Sequence, residues 1–243
     1  GDAMNLLTLA CLIVGLPLAG FFIQGLLGRR LPHKGAWFAT SPMGVVVALA
    51  APVFFRVFGM KGPYAGVHDY FAWFELAPGR AIHVGFLIDN LAAAMLLMVS
   101  IVSFLVHLYS IGYMHGDRDY VRFFTVLQIF SAAMLGLVLA DNLLTLYVCW
   151  ELVGISSFLL LGFFINRASA AAAAKKAFLT NRVGDLGFAI GLFIIFSKLH
   201  TFSYSEVFNL IKEGHMSGTE LTVASLFLFC GAVGKSAQFP LHI

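Results

Sequence analysis

The sequence predicts an all-α polytopic membrane protein of about seven transmembrane helices, and three observations carry that prediction. Residues of the AVILMFWYC class make up 60% of the 243 positions, while charged residues supply only 11%. Mean hydropathy is +0.91. A soluble domain carries about 25% charged residues, and so few charges cannot build a water-facing surface. The same scarcity excludes disorder, collagen and coiled coil. The apolar residues fall into runs of about 20, the length needed to cross about 30 Å of hydrocarbon at about 1.5 Å per residue. These runs are apolar on every face, which argues against a membrane barrel with its alternating segments.

Seven spans follow in chain order: 3–27, 38–58, 86–114, 123–140, 143–165, 177–197 and 221–239. The first lacks a basic leader and a small-residue cleavage site, so it reads as a retained helix rather than a signal peptide. The second is the weakest, with Pro52 inside it and Arg56 near its end. Basic residues then orient the bundle. Arg29, Arg30, Lys34, Arg118, Arg122, Arg167, Lys175 and Lys176 lie on one side, against Lys61, Arg80, Lys198 and Lys212 on the other. The positive-inside rule puts the first group inside and the N-terminus outside.

Between the second and third spans, 59–85 is expected to form an aromatic-rich hairpin turning at Ala77-Pro78-Gly79-Arg80. Its Tyr64, Tyr70 and Trp73 suit the membrane interface. The segment 198–220 is expected to hold a short surface helix, and the alanines of 170–174 are strong helix formers. Two regions result, 1–122 with the hairpin and 123–243. The net charge of +3 is spread over short loops, which gives no nucleic-acid footprint. Cys11, Cys149 and Cys230 sit in separate apolar runs without metal or disulfide spacing, and read as packing residues. Asp89 and Asp141 fall at helix ends, where solvation accounts for them.

An ionised side chain inside a membrane helix costs roughly 2.5–3.5 kcal/mol on insertion scales, so each one carries information. Glu151 sits in an apolar run without a charged neighbour, and needs a cation from another helix to stay ionised. Lys235 is its natural counterpart. It lies in Gly231-Ala232-Val233-Gly234-Lys235-Ser236, before Pro240, a composition that predicts a discontinuous helix lining a hydrated cavity. The G-x-x-G-K-S string is not a P-loop, because its first glycine is misplaced and no strand precedes it. Counted from the helix starts, Glu151 lies about 12 Å deep and Lys235 about 21 Å, too far apart for a tight ion pair. Arg182 and Asp185 share a helix face and can pair locally or serve as a relay. On the same wheel Lys175 falls near Arg182, and Lys176 falls opposite Asp185. His107 reads as a hydrogen-bonded packing histidine, with a place on the proton path as the alternative. Nucleophile–base sets, HExxH, CxxC and GxGxxG are missing, so the residues point to a bundle conducting protons or small cations without redox chemistry of its own.

Three stretches carry a family resemblance: Leu139 through Gly154 with its Trp150-Glu151 pair, Lys176-Ala177-Phe178 with Asn181-Arg182-Val183-Gly184-Asp185, and Gly231 through Pro240. Together they resemble the large antiporter-like membrane subunits, subunit L type, of proton-pumping NADH:quinone oxidoreductase, respiratory complex I. Similarity extends over nearly the whole chain. Mrp-type sodium/proton antiporter subunits share the Trp-Glu pair and the glycine–lysine run, and are the alternative reading; the Arg-Val-Gly-Asp stretch favours the complex I branch. The resemblance implies that Glu151 and Lys235 form a proton-transfer pair, that Lys176 bridges along the path with Lys175 beside it, and that Arg182 and Asp185 form a paired site. It implies most of a first antiporter-like repeat, with the histidine-bearing helix that follows in the family lying beyond residue 243, and hence an N-terminal portion unable to pump alone. FMN, iron–sulfur clusters and quinone are implied in other subunits, with no cofactor or metal in this chain. The expected partners are other membrane subunits, especially an adjacent antiporter-like one, and the lipid bilayer. The expected place is a bacterial cytoplasmic membrane.

Overall fold

The computed structural model describes residues 2–57, 66–77 and 80–242. The chain runs α1 (Asp2–Leu27), a short 3-10 turn (Pro32–Gly35), α2 (Ala36–Val57), β1 (Gly66–Ala77), β2 (Arg80–Ile88), α3 (Asn90–Tyr113) and α4 (Tyr120–Leu139), then α5 (Leu143–Leu161), α6 (Ala168–Leu199), α7 (Tyr204–Lys212) and α8 (Gly218–Lys235). β1 and β2 pair as a two-stranded sheet. The hairpin's turn at Pro78 and Gly79, together with Lys61 and Tyr64, lies outside the described residues, as does the side chain of Tyr70, while Trp73 is exposed.

Among the described residues six helices, α1 to α6, are long and apolar enough to cross a membrane. The seventh expected span differs from them. It is helical over the 18 residues of α8, about 27 Å at the helical rise, but carries Glu220 in its first turn and Lys235 in its last. Charge at both ends dilutes its apolarity. The helix stops at Lys235, as the flanking glycines and proline predict, and Ala237 takes φ 49, a left-handed conformation that cannot continue it. In contrast, Pro52 leaves α2 unbroken to Val57. α6 starts at Ala168 rather than 177, because the alanine run adds helix ahead of the apolar stretch.

Side chains fix several helix starts. Asp89 accepts from the Ala92 N–H at 2.7 Å, and Asn142 accepts from the Thr145 N–H at 2.7 Å. Ser217 and Glu220 form a reciprocal capping box at α8. Asp141 corrects its sequence reading. It is buried, accepts from Asn142 Nδ2 at 2.7 Å, and its carbonyl accepts from the Tyr204 N–H at 3.3 Å, which ties the start of α7 to the start of α5.

The chain divides into two compact units, the first comprising Gly1–Trp73 with His83–Ala140. Its core is drawn from α1 to α4, with Ile13, Met43, Val46, Leu96, Leu135 and Leu139 all buried. The second comprises Phe74–Ile82 with Asp141–Ile243, and its core gathers Leu143, Phe188, Leu192, Ile195, Val207 and Ala224. Within it α6 and α8 pack almost backbone to backbone. A Cβ added at Gly184 would lie 3.0 Å from the Gly234 Cα, and one at Gly191 2.8 Å from the Leu228 nitrogen. Only glycine permits that approach, the means by which membrane helices gain dispersion contacts where lipid gives no hydrophobic drive. Lys198 and Glu220 join the adjoining ends of the two helices at 2.6 Å.

Candidate functional site

The second unit brings charged residues of three helices together. α5 carries Trp150 and Glu151 on successive positions, α6 carries Arg182 and Asp185 one turn apart, and α8 ends on Lys235. Arg182 Nη1 donates to Glu151 Oε2 in an ion pair between α5 and α6. The guanidinium also lies 5.1 Å from the centroid of the Phe178 ring, one turn back on its own helix, which orients it toward α5. Asp185 is only 3% exposed, and accepts from Trp150 Nε1 at 2.7 Å. Lys235 Nζ donates to the Trp150 carbonyl, and sits 4.5 Å from the centroid of the indole.

Trp150 is therefore the hub. Its N–H serves the carboxylate of α6, while its carbonyl and ring face hold the ammonium of α8. The charges of Asp185, Glu151 and Arg182 all act on Lys235, so the four groups form one electrostatic unit. Gly154 leaves the space the ammonium needs, since a Cβ there would lie 3.3 Å from Nζ. Sequence reading placed both in the family-like stretch but gave neither a role. The available signal was an indole N–H in an apolar run, which needs an acceptor when buried.

Two expected pairings differ in detail. The cation on Glu151 is Arg182 from another helix, and Lys235 lies beside Glu151 rather than on it. The local pair of Arg182 with Asp185 does not form, because each side chain finds a partner on α5 instead. The depth gap between Glu151 and Lys235 also closes. Side chains tilt toward the N-terminus of their helix, so the lysine stem runs back along α8 to the level of Trp150. Lys175 and Lys176 are both exposed on α6, and neither makes an ion pair among the described residues. His107 belongs to the first unit. It is fully buried in α3, and its Nδ1 lies 2.8 Å from the Ser103 carbonyl one turn back, while Nε2 has no hydrogen-bond partner. Among the described residues no group of three His, Cys, Asp or Glu could hold a metal ion.

Comparison with known proteins gives a consistent picture. The family described as NADH-Ubiquinone oxidoreductase (complex I), chain 5 N-terminus, matches residues 73–124. That described as NADH:quinone oxidoreductase/Mrp antiporter, TM, matches residues 140–243 and so contains the whole charged cluster. NADH-quinone oxidoreductase subunit L from Neisseria meningitidis is 38% identical over 99% of this chain and 37% of its own length. The subunit of the same name from Mycobacterium tuberculosis is 42% identical over 95% of this chain and 36% of its own length. Among solved structures, the Mrp complex from Dietzia sp. superposes with a TM-score of 0.78 at 23% identity, covering 96% of this chain and 24% of the matched one, a likeness of fold. The chain thus spans little more than a third of the length of the curated relatives it matches.

Proposed function

The chain belongs to the family of antiporter-like membrane subunits that includes subunit L of NADH-quinone oxidoreductase, and from that premise we propose that it forms the proton-translocating N-terminal part of such a subunit. In this reading quinone reduction elsewhere in the complex drives proton transfer through a buried Glu/Lys path. The observation that supports it most is the linkage of Glu151, Arg182, Asp185 and Lys235 across three helices through Trp150.

The chemistry follows from what each group can do. Arg182 never releases its proton, so it acts by position alone. In the structure it donates to Glu151, so moving the guanidinium away would withdraw the cation that balances that carboxylate. Lys235 is held by a carbonyl and a ring face, neither of which carries a full charge, with Asp185 and Glu151 as the carboxylates whose charges reach it. Alternating between Arg182 on and off Glu151 therefore loads and expels a proton at Glu151, with Lys235 as the exchanging neighbour. Lys175 and Lys176, exposed on the first turns of α6, supply or remove protons at the basic end. Residues 1–122 serve as the supporting bundle and 123–243 as the first part of the translocating repeat. FMN, iron–sulfur clusters and quinone lie in other subunits, an adjacent antiporter-like subunit is a neighbour, and the protein sits in the bacterial cytoplasmic membrane with its N-terminus outside. Pumping is a property of the assembled complex.

The test is NADH-driven acidification of membrane vesicles whose full-length subunit carries Glu151→Gln, with quinone reduction recorded in parallel. Pumping per electron is expected to fall several-fold against wild-type complex assembled to the same level. Unchanged pumping per electron would remove Glu151 from the path. Acidification that follows sodium instead of NADH would favour the Mrp-type reading.

A further inference from the structure

The first unit contains a cleft that the proton path does not use. Its volume is about 520 Å³, and Arg29, Lys34, Arg118 and Arg122 line it, with Asp119 as the opposing carboxylate. The four cations come from separate stretches: the turn after α1, the 3-10 turn, the α3–α4 connection and the first turn of α4. The positive-inside rule explains why basic residues concentrate at this end of the bundle. It does not explain why they converge on one cavity. Asp119 lies 3.9 Å from Arg122, and offsets one charge of the four.

The 3-10 turn is held so that Lys34 faces the cleft. His33 and Lys34 take φ 51 and φ 55, left-handed values that L side chains avoid, and Gly35 follows at φ 75. Gln24, 1% exposed, donates from Nε2 to the Lys34 carbonyl at 2.9 Å and fastens the turn to α1. Beside the cleft, the last turns of α1 expose Phe22, Ile23, Leu26 and Leu27, with Leu26 80% exposed. A basic cleft at a helix end thus adjoins an apolar strip running down a membrane span.

We propose that this cleft binds the phosphate headgroup of an anionic phospholipid, with Arg29, Arg118 and Arg122 as forked donors to phosphate oxygens, Lys34 as a point charge, and the acyl chains lying along the exposed face of α1. Guanidinium groups match phosphate oxygens in bidentate geometry, and basic pockets between transmembrane helices on the inner side are suited to such headgroups. The apolar strip favours a lipid over a soluble anion, because α1 turns that face to the bilayer and so places headgroups beside the cleft. The proposal is independent of the proton path and survives its failure.

The test uses the assembled complex with the full-length subunit in nanodiscs containing a photoactivatable phosphatidylglycerol, with labelled peptides mapped by mass spectrometry. Labelling is expected within 22–34 and 118–125, at least fivefold above a phosphatidylcholine probe. It should fall at least fivefold in Arg29→Gln/Arg118→Gln and less in Arg29→Lys, which keeps the charge but loses the fork. Lys34→Gln provides a second variant if the double one fails to assemble, and should also reduce labelling. Equal labelling by the two lipids, or labelling unchanged in the variants, overturns the proposal. Loss of labelling in millimolar inorganic phosphate overturns it in favour of a soluble anion. Carbodiimide coupling of Lys34 to a neighbouring subunit, without lipid labelling, overturns it in favour of an acidic protein surface.

Discussion

Replacing Gly187 by alanine places a single methyl group where α6 and α8 leave no room. Its Cβ would stand 2.5 Å from the Cβ of Cys230, 3.3 Å from its Sγ and 3.5 Å from the Phe227 carbonyl oxygen. Carbon atoms rest about 3.5–4.0 Å apart, so the clash with Cys230 amounts to roughly 1 Å or more. Overpacking of this kind costs about 1–3 kcal/mol, and here the helices must part to relieve it. Parting them draws Lys235 from Trp150, so Gly187→Ala should lower both stability and pumping. The same numbers predict the remedy. The tight contacts are to the cysteine side chain, and the remaining one is ordinary, so Cys230→Gly should restore most of the loss, giving a coupling of about 1–3 kcal/mol in a double-mutant cycle. Gly184→Ala should resist any such rescue, because its Cβ would meet the Cys230 carbonyl oxygen at 2.9 Å and the Gly234 Cα at 3.0 Å, both backbone. The assay is thermal release of the subunit from the purified complex, with vesicle acidification per NADH as the second readout. A Gly187→Ala complex that melts and pumps like wild type, or one that Cys230→Gly fails to improve, refutes the close contact.

Two further outcomes follow. Trp150→Phe removes the indole N–H from the buried Asp185 but leaves the backbone carbonyl on Lys235, so it should cost about 1–3 kcal/mol and reduce pumping in complexes that still assemble; unchanged melting would mean that the hydrogen bond at 2.7 Å contributes nothing. Lys198, then the Ser217 backbone and hydroxyl, hold the exposed Glu220 carboxyl down from the usual 4.5 to about 2. A depressed carboxylate stabilises fully above its unfolded value, so the hold on the start of α8 should persist above about pH 4.5 and weaken as pH falls toward 2. Amide exchange at Glu220 and Leu221 should rise over that interval in wild type and lose this dependence in Glu220→Gln.

Much of this was legible in the sequence because membrane helices are specified by length and apolarity, which single residues seldom upset. Runs of leucine, valine and phenylalanine located α1 to α6, and the glycines around Lys235 located the end of α8. The buried charges were legible for the same reason, since every one is conspicuous against hydrocarbon. Their partners were not. Whether Arg182 turns toward Asp185 on its own helix or Glu151 on another depends on how closely the helices approach. The packing of α5 on α6 decides it, a tertiary fact that a one-dimensional pattern does not contain. The capping box of Ser217 and Glu220 is a local motif that the sequence analysis passed over, whereas the Lys198 contact that completes it joins two helices. Asp141 misled for a related reason, because a residue at a helix end is solvated only if no other segment covers it.

The length of α6 gives that close contact a mechanical meaning. Its 32 residues span about 48 Å, against about 30 Å of hydrocarbon, so the helix is a rod longer than the layer it crosses. With Gly187 as fulcrum, Lys175 sits about 18 Å along the arm and Asp185 only about 3 Å. A rotation of about 5° would therefore carry the lysine end about 1.6 Å while displacing Asp185 by about 0.3 Å. Force applied at the basic end is geared down about sixfold in distance by the time it reaches the buried carboxylate. Broad movements of the lysine end would thus arrive at Asp185 as fine adjustments, on the scale at which one hydrogen bond is kept or lost.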